Sequence, residues 1–587
     1  MLINKPRLWW PNNYGRANLY RIRLQYVGAG GAVADDTTFV FGIRTVSSKA
    51  VETNRALRRD FYVNGKRVNL VGGAWVPDMM VNRDSARYDY ELHLCRNANV
   101  NLVRIWGGGV TPPDAFFNAA DRYGLMVWSD FWITGDTQGE FKGSADWPLE
   151  GSVFAKNVIS TIYRIRNHPS LLVWTGGNEG HARKELYEVM RNSIIQLDGT
   201  RPYIPSSSGF AKLPAGFEGA WPDGKSSGVY SGGPYRWTDP HEYYRLADKD
   251  NGWVFKDETG IPSQPPYNTL AKNITNLVWD KSLPYPLNNS WGYHDAATGA
   301  GRYDLYYQEM VKRYGEPKNM EDFSNKMQLL NSIGYQGIFE AAGHKLNESG
   351  GVMLWKLNAA FPSVIWQIYD WFLEPNAGYY AMQNACEPVH IQLNLNDSTV
   401  AVINRTHYTT AKLTADAEVF TMDTKSIFHQ TATVTLPATG VKGLISLKPV
   451  LARARDVSFV MLKLKDASGK IVSRNTYWLA PDTNYRAMQQ MPNAKLQTKV
   501  LETIAGKKAT EWMVQISNTS NQLAFFVRPQ LVQQGEEVMP AYWSASYFTL
   551  APGDKITLTV SAPNDKLKGG DISIDVSAWN VAKQTTH

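Results

Sequence analysis

Residues 101–130, NLVRIWGGGVTPPDAFFNAADRYGLMVWSD, set out the pattern that decides the fold. An apolar run, Asn101–Trp106, ends in three glycines. A helical stretch, Pro112–Tyr123, opens on prolines suited to a first turn, and a second apolar run, Leu125–Asp130, follows at once. Short continuous apolar runs alternating with amphipathic helices are the sequence form of a parallel sheet with crossover helices. Outward from this unit the same alternation continues from about residue 60. Further candidate strands are Arg67–Gly72, Leu171–Gly176, Tyr203–Ser206, Gly228–Ser231, Trp253–Lys256 and Gly351–Leu357. Helices are expected at Ser85–Asn97, after Asp84 as cap, and at Val153–Arg166. Eight such strands predict a (β/α)8 barrel. The stretch from Gly260 to Gly350 is a long insertion between the seventh and eighth strands, with an aromatic segment (Trp291, Tyr293, His294) and a helix at Met320–Ala342.

The flanks have strand periodicity instead. Residues 1–45 read as the last strands of an immunoglobulin-like β-sandwich, with NLYRIRLQY at Asn18–Tyr26 and a second strand at Thr37–Ile43. Two strands bury no core alone, so they should pack on the barrel or on a segment outside this sequence. The barrel is expected over 46–385. A β-sandwich at 386–484 and an immunoglobulin-like β-sandwich at 485–587 follow, with alternating runs such as Thr399–Ile403, Val457–Leu464 and Trp512–Ile516.

Composition narrows the function. The chain has 20 Trp and 30 Tyr, many for its length; aromatic faces stack on sugar rings, although large barrels and sandwiches also use them in their cores. The net charge of +7 is spread along the chain, with no Lys/Arg run of the kind that binds nucleic acid. No apolar run reaches the ~18 residues of a membrane span, so neither nucleic acid nor membrane is expected as a partner. Two cysteines, Cys95 and Cys386, give no disulfide framework, and Cys95 reads as a buried free thiol. Residues MLINKPRLWW show no signal-peptide pattern.

In a barrel of this kind the chemistry sits at the C-terminal ends of the strands. Those ends read Gly73–Asp78, Trp106–Gly109, Trp128–Trp132, Gly176–Glu179, Lys256–Thr259 and Trp355–Asn358. Carboxylates thus follow strands four and seven, on opposite sides of the mouth. A glycosidic bond needs one carboxylic acid to protonate the leaving oxygen and one carboxylate at the anomeric carbon, so Glu179 and Glu258 are the candidate pair, close enough for a retaining mechanism. Burial and a neighbouring carboxylate would keep Glu179 protonated near neutrality. Asn178 is placed to bond the sugar 2-substituent. The competing readings are plain: a lone Glu after a strand is more often a cap or salt-bridge partner, Asp130 and Asp78 suit helix caps, and Trp75, Trp128 and Trp132 suit rim packing. Gly107–Gly109 lacks the Lys-Ser/Thr of a phosphate loop and the spacing of a dinucleotide fingerprint. His181 has no metal-type ligands at suitable spacing, so no metal and no cofactor is expected.

Several segments then resemble glycoside hydrolase family 2: LWWPNNYG, FGIRTV, FYVNGKRVNLVGGAWVP, NLVRIWGGGV, GLMVWSDF, RNHPSLLVWTGGNE and GGVMLWKLN. The resemblance implies Glu179 as acid/base and the glutamate of FKDETG, Glu258, as nucleophile. SGGPYRWTDPHEYY, GYHDAATG, LNAAFPSVIWQIYDWF, RNTYWLAP and MPAYWSASYF are similar to one branch, the exo-β-D-glucosaminidases and mannosylglycoprotein endo-β-mannosidases. An oligosaccharide or polysaccharide substrate follows, with exo-β-glucosaminidase activity first and β-mannosidase activity, exo or endo, second. A catalytically silent carbohydrate-binding fragment is the alternative from another class. Many exo-glucosaminidases of the branch carry Ser-Asp where this chain has Asn178-Glu179, the form of mannosidases and of most of the wider family. Family members also carry a jelly-roll and most of an immunoglobulin-like domain before LWWPNNYG, so an N-terminally truncated relative is expected, of a kind commonly secreted or periplasmic. Around the pair, Asn178, Trp106, Asp130, Tyr235, Trp355 and Trp366 are the expected substrate contacts.

Overall fold

The computed structural model describes residues 3–80, 84–134, 148–209, 226–274, 294 and 302–587. Trp291 and Tyr293 of the expected aromatic segment lie outside the described residues. The chain divides into two compact units, the first made of 1–232, 249–259 and 348–354, the second of the remainder.

The first unit opens with an antiparallel hairpin, β1 (Tyr20–Val27) and β2 (Val33–Phe41), and a three-stranded sheet, β3 (Val46–Glu52), β4 (Leu57–Val63) and β5 (Lys66–Val68). The barrel strands follow: β6 (Leu70–Trp75), β7 (Leu102–Ile105), β8 (Met126–Asp130), β9 (Leu171–Thr175), β10 (Tyr203–Ile204), β11 (Lys256–Thr259) and β12 (Gly351–Leu354). They form a parallel seven-stranded sheet in the order β10-β9-β8-β7-β6-β12-β11. Among the described residues the expected sixth strand, Gly228–Ser231, contributes a single parallel bridge, Tyr230 to Lys256. Nearly every residue of β6 to β9 is buried, as a sheet covered on both faces requires. The core packs Phe61, Leu70, Leu102, Trp128, Val173, Phe255 and Met353 together.

Two boundaries shift with consequences for the site. The first strand runs on to Trp75, because Asn69 breaks the apolar run and only Leu70 onward joins the barrel. Trp75, one of the residues suited to rim packing, is therefore inside the strand, with its indole donating to Glu91 at 2.6 Å. The seventh strand begins three residues later than the apolar run suggests, since Asn251–Val254 forms a 3-10 turn capped by Asp250. Asp257 and Glu258 consequently lie within β11 rather than past its end.

The crossover helices of the first unit are α1 (Ser85–Asn97), capped by Asp84, α2 (Asp114–Tyr123), α3 (Gly151–Ile165) and α4 (Lys184–Leu197). The N-terminal segment docks on this unit: Trp9 is fully buried, its indole donating to the Asp121 carbonyl, and Asn12 and Arg44 donate to the Val100 and Leu171 carbonyls. The hairpin β1–β2 stays largely exposed, Tyr26 and Phe39 included.

In the second unit the helix Met320–His344 is buried over most of its length. Two sandwiches follow. One pairs a three-stranded sheet (Val389–Asn394, Thr399–Asn404, Gly440–Ser446) with a four-stranded one (Ser426–Val434, Leu413–Thr421, Ser458–Lys465, Ile471–Leu479) around Ile391, Val402, Val419 and Leu462. The other is built from Leu496–Ala505, Ala509–Asn518, Lys555–Pro563 and Tyr542–Trp543 on one side. Its other side centres on Ala524–Gln533 and Ile572–Ala578.

Candidate active site

The site in the first unit is organised by a residue that the sequence reading passes over. Arg104 sits in the middle of β7 and is fully buried. Its Nε and Nη2 both donate to Asp130 Oδ2, at 3.1 and 2.7 Å. Nη2 also donates to Asn178 Oδ1 at 2.5 Å, and Nη1 to Glu258 Oε1 at 2.9 Å and to Asp257 Oδ2 at 3.5 Å. One guanidinium thus ties together the ends of strands two, three, four and seven. Burial works against its charge, but the Asp130 carboxylate and then that of Glu258 outweigh this and hold Arg104 as a cation above its ordinary range.

Asp130 corrects an expectation. It is buried, and its Oδ1 accepts from the Trp128 indole at 3.0 Å, while Oδ2 accepts from Arg104 and from the Gly107 backbone N–H at 3.1 Å. Its carboxylate anchors Arg104 and the strand-two loop. Burial pushes its carboxyl upward, against the pull of Arg104.

Asn178 is also buried, with its amide Nδ2 donating to Thr134 Oγ1 at 3.1 Å and its backbone N–H to the Ile133 carbonyl. A primary amide has two N–H donors, and among the described residues Thr134 takes one of them. Glu179 follows in a left-handed backbone conformation, φ 58°, rare for a non-glycine residue. Its N–H donates to the buried Ser207 Oγ at 2.9 Å, and the Ser207 N–H donates back to the Gly177 carbonyl at 3.1 Å. The Glu179 side chain is exposed, which corrects the expectation that it is buried.

Glu258 is buried and Asp257 entirely so. Alternation along a strand would send these neighbours to opposite faces. The register explains why both reach Arg104: Lys256 pairs with Val352 but Thr259 with Leu354, so three steps on β11 answer two on β12. Such a bulge turns an extra side chain inward. Burial raises the Asp257 carboxyl well above its usual range, and burial lowers the Lys256 ammonium, whose Nζ donates to the Ser231 carbonyl at 3.2 Å.

Trp106 is half-buried, with its ring lying over Gly108, where a Cβ would come within 2.0 Å. Gly108 therefore accommodates the indole, while Gly107 and Gly109 lie against the Ile133 carbonyl and Pro77. The other expected aromatics belong to the second unit and meet there. Trp366 packs against Tyr235 and Trp355, with ring centroids at 5.8 and 6.4 Å, and its indole donates to the Tyr235 carbonyl at 2.7 Å. Trp366 is buried, which makes it the support of the cluster; Tyr235 and Trp355 keep exposed surface and are the better candidates for contact with a ligand. Sequence reasoning missed Arg104, Ser207 and Asp257. The signal for Arg104 was present as a lone cation inside the run LVRIW, where burial demands a carboxylate partner. Among the described residues no three His, Cys, Asp or Glu side chains come together to hold a metal ion. No described helix is long and apolar enough to cross a membrane.

Comparison with known proteins agrees with this architecture. Residues 59–212 match the TIM barrel domain of glycosyl hydrolases family 2, residues 396–481 a mannosidase Ig/CBM-like domain and residues 475–581 an exo-β-D-glucosaminidase Ig-fold domain. The chain is 26% identical to mannosylglycoprotein endo-β-mannosidase of Lilium longiflorum, over 100% of the chain and 70% of that protein. It is 28% identical to exo-β-D-glucosaminidase of Amycolatopsis orientalis, over 99% of the chain but only 58% of that enzyme's length. The crystal structure of the Amycolatopsis orientalis exo-chitosanase superposes with a TM-score of 0.88 at 26% identity, covering 100% of the chain and 71% of that structure. The chain thus carries a TIM barrel domain of glycoside hydrolase family 2, followed by Ig-like domains of the mannosidase and exo-β-D-glucosaminidase kinds.

Proposed function

We propose that the chain is a retaining β-glycosidase acting on β-linked hexosides of oligo- or polysaccharides, with exo-β-D-glucosaminidase as its first activity. The observation that carries this reading is the pair of glutamates at the ends of strands four and seven, one of them, Glu258, oriented by a buried guanidinium that also holds Asn178. Glu258 attacks the anomeric carbon while Glu179 protonates the leaving oxygen, giving a glycosyl-enzyme; Glu179 then takes a proton from the water that hydrolyses it. The arrangement suits these roles: Glu258 is held by Arg104, and Glu179 is exposed where a leaving group and water arrive. The remaining amide N–H of Asn178 serves the sugar 2-substituent, and Trp106 offers a ring face to a sugar.

The choice of sugar is supported by relatives described as exo-β-D-glucosaminidases. β-Mannosidase activity is the second reading, favoured by the Asn178-Glu179 pair and by the mannosidase-type relative. A panel of aryl β-glycosides (glucosaminide, mannoside, galactoside, glucoside and glucuronide) tests both. Turnover of the glucosaminide is expected to lead. Turnover of β-galactosides alone overturns the assignment, and oligosaccharide binding without turnover, unchanged by Glu258→Gln, favours a binding protein.

A further inference from the structure

We propose that Asp257 is a positioning residue for the nucleophile: it shares Arg104 with Glu258, and its protonation decides whether the guanidinium stays on Glu258. This rests on the reading of Glu258 as nucleophile. Nη1 of Arg104 lies 2.9 Å from Glu258 Oε1 and 3.5 Å from Asp257 Oδ2, a full hydrogen bond to one carboxyl and a stretched one to its neighbour. The bulge in β11 creates this sharing, by bringing consecutive side chains to one cation.

The rest of the surroundings leave Asp257 poorly served as an anion. Among the described residues its Oδ1 has no hydrogen-bond partner, and the side chain is shut off from solvent. The charged groups facing it are Arg104 from β7, Asp130 from β8, and Glu258 and Lys256 from its own strand. Lys256 makes no ion pair with it, its Nζ being drawn to the Ser231 carbonyl. Arg104 already answers two carboxylates, Asp130 and Glu258. A third negative charge on one buried guanidinium is therefore opposed by desolvation and by both neighbours, and Asp257 rests as the neutral acid. When the proton leaves to solvent at higher pH, a charge-assisted contact to Arg104 shortens toward ~2.8 Å. The guanidinium is then drawn off Glu258, and the new charge repels the nucleophile. Asp257 thus imposes an alkaline limit on the first chemical step, separate from any limit set by Glu179.

The test separates those two limits by the leaving group. A 2,4-dinitrophenyl β-glycoside needs no proton on its leaving oxygen, so Glu179 drops out of kcat/KM. The pH profile of kcat/KM is measured with 2,4-dinitrophenyl β-D-glucosaminide and β-D-mannoside for the wild type, Asp257→Asn and Asp257→Ser, each normalised to its own maximum. Titration of a substrate amine is common to all three and cancels. The alkaline limb is expected to move upward by at least about one pH unit in both variants. An unmoved limb in both overturns the proposal. Infrared difference spectra between wild type and Asp257→Asn supply a readout free of turnover. They should contain the carbonyl band of a protonated carboxyl at neutral pH, lost as the pH rises, and absence of that band overturns the proposal. If no glycoside is hydrolysed, the functional reading falls while the infrared band still decides whether Asp257 holds its proton beside Arg104.

Discussion

Replacing Arg104 by methionine tests the organisation of the barrel mouth. The side chain is fully buried and donates to Asp130 twice, to Asn178, to Glu258 and, more weakly, to Asp257. Its removal strands buried carboxylates rather than deleting one surface pair. Breaking a buried ion pair from one side costs about 3–5 kcal/mol, because the remaining charge is left uncompensated. Against a total stability of ~5–15 kcal/mol, that is a substantial share. The sign with pH follows from Asp130, whose folded-state carboxyl is already pushed upward by burial and loses its main opposing cation in the variant. A carboxyl raised in the folded state binds its proton more tightly there, so stability falls as pH rises from the unfolded value, ~4, toward the folded one. The deficit of Arg104→Met should therefore be larger at about pH 7.5 than at about pH 5. The double variant Arg104→Met/Asp130→Leu, which replaces the pair by apolar groups, should recover at least ~2 kcal/mol of the loss. Urea unfolding followed by tryptophan fluorescence reads all of this, since the Trp128 ring lies 6.0 Å from the guanidinium. A loss below ~1 kcal/mol, or an equal loss at both pH values, would refute the reasoning.

Three further outcomes are expected. Ser207→Ala removes the acceptor that holds the Glu179 N–H, and one hydrogen bond of that kind corresponds to roughly a tenfold fall in kcat with KM little changed; steady-state kinetics on the best aryl glycoside decide it. His390, buried between Glu340 and Glu387, is held protonated above its ordinary range, burial opposing and the two carboxylates prevailing. Its contribution to stability is fully present below ~6.5 and is lost as pH rises through the higher folded value, so unfolding midpoints should decline over that range in the wild type and decline less in His390→Gln. Both cysteines are buried and neither is in a disulfide, and burial pushes the Cys386 thiol up to about 12, so iodoacetamide should label neither Cys95 nor Cys386 until the protein is unfolded; labelling of the native protein, read by mass spectrometry, would contradict this.

The barrel was legible in the sequence because β6 to β9 are buried on both faces and so read as continuous apolar runs, broken by helices with clear caps such as Asp84. Where local turns overrode that pattern, reading failed. The 3-10 turn at Asn251–Val254 carries Trp253 and Val254 in a strand-like run, and among the described residues the segment at Gly228–Ser231 forms one bridge. The positions of Glu179 and Glu258 followed from strand ends, but their surroundings did not. Arg104 gathers side chains more than 150 residues apart, as with Glu258, and no local periodicity encodes that. Asp130 illustrates the limit: a strand-end aspartate reads equally as ligand, cap or anchor, and only its four donor contacts decide for the anchor. The inward turn of Asp257 was likewise hidden, since a bulge depends on the register with β12 and not on β11 alone.

The central claim, that Glu258 is the nucleophile and Glu179 the acid/base of a retaining mechanism, is tested most directly by azide rescue. Glu258→Gly and Glu179→Gly are each incubated with azide and an activated aryl β-glycoside, and the anomer of the glycosyl azide is read by proton NMR. With the nucleophile gone, azide attacks the β-glycoside itself, so Glu258→Gly should give the α-azide. With the acid/base gone, azide attacks the glycosyl-enzyme, so Glu179→Gly should give the β-azide. No azide product from either variant, or the same anomer from both while the wild type turns over, would contradict the assignment.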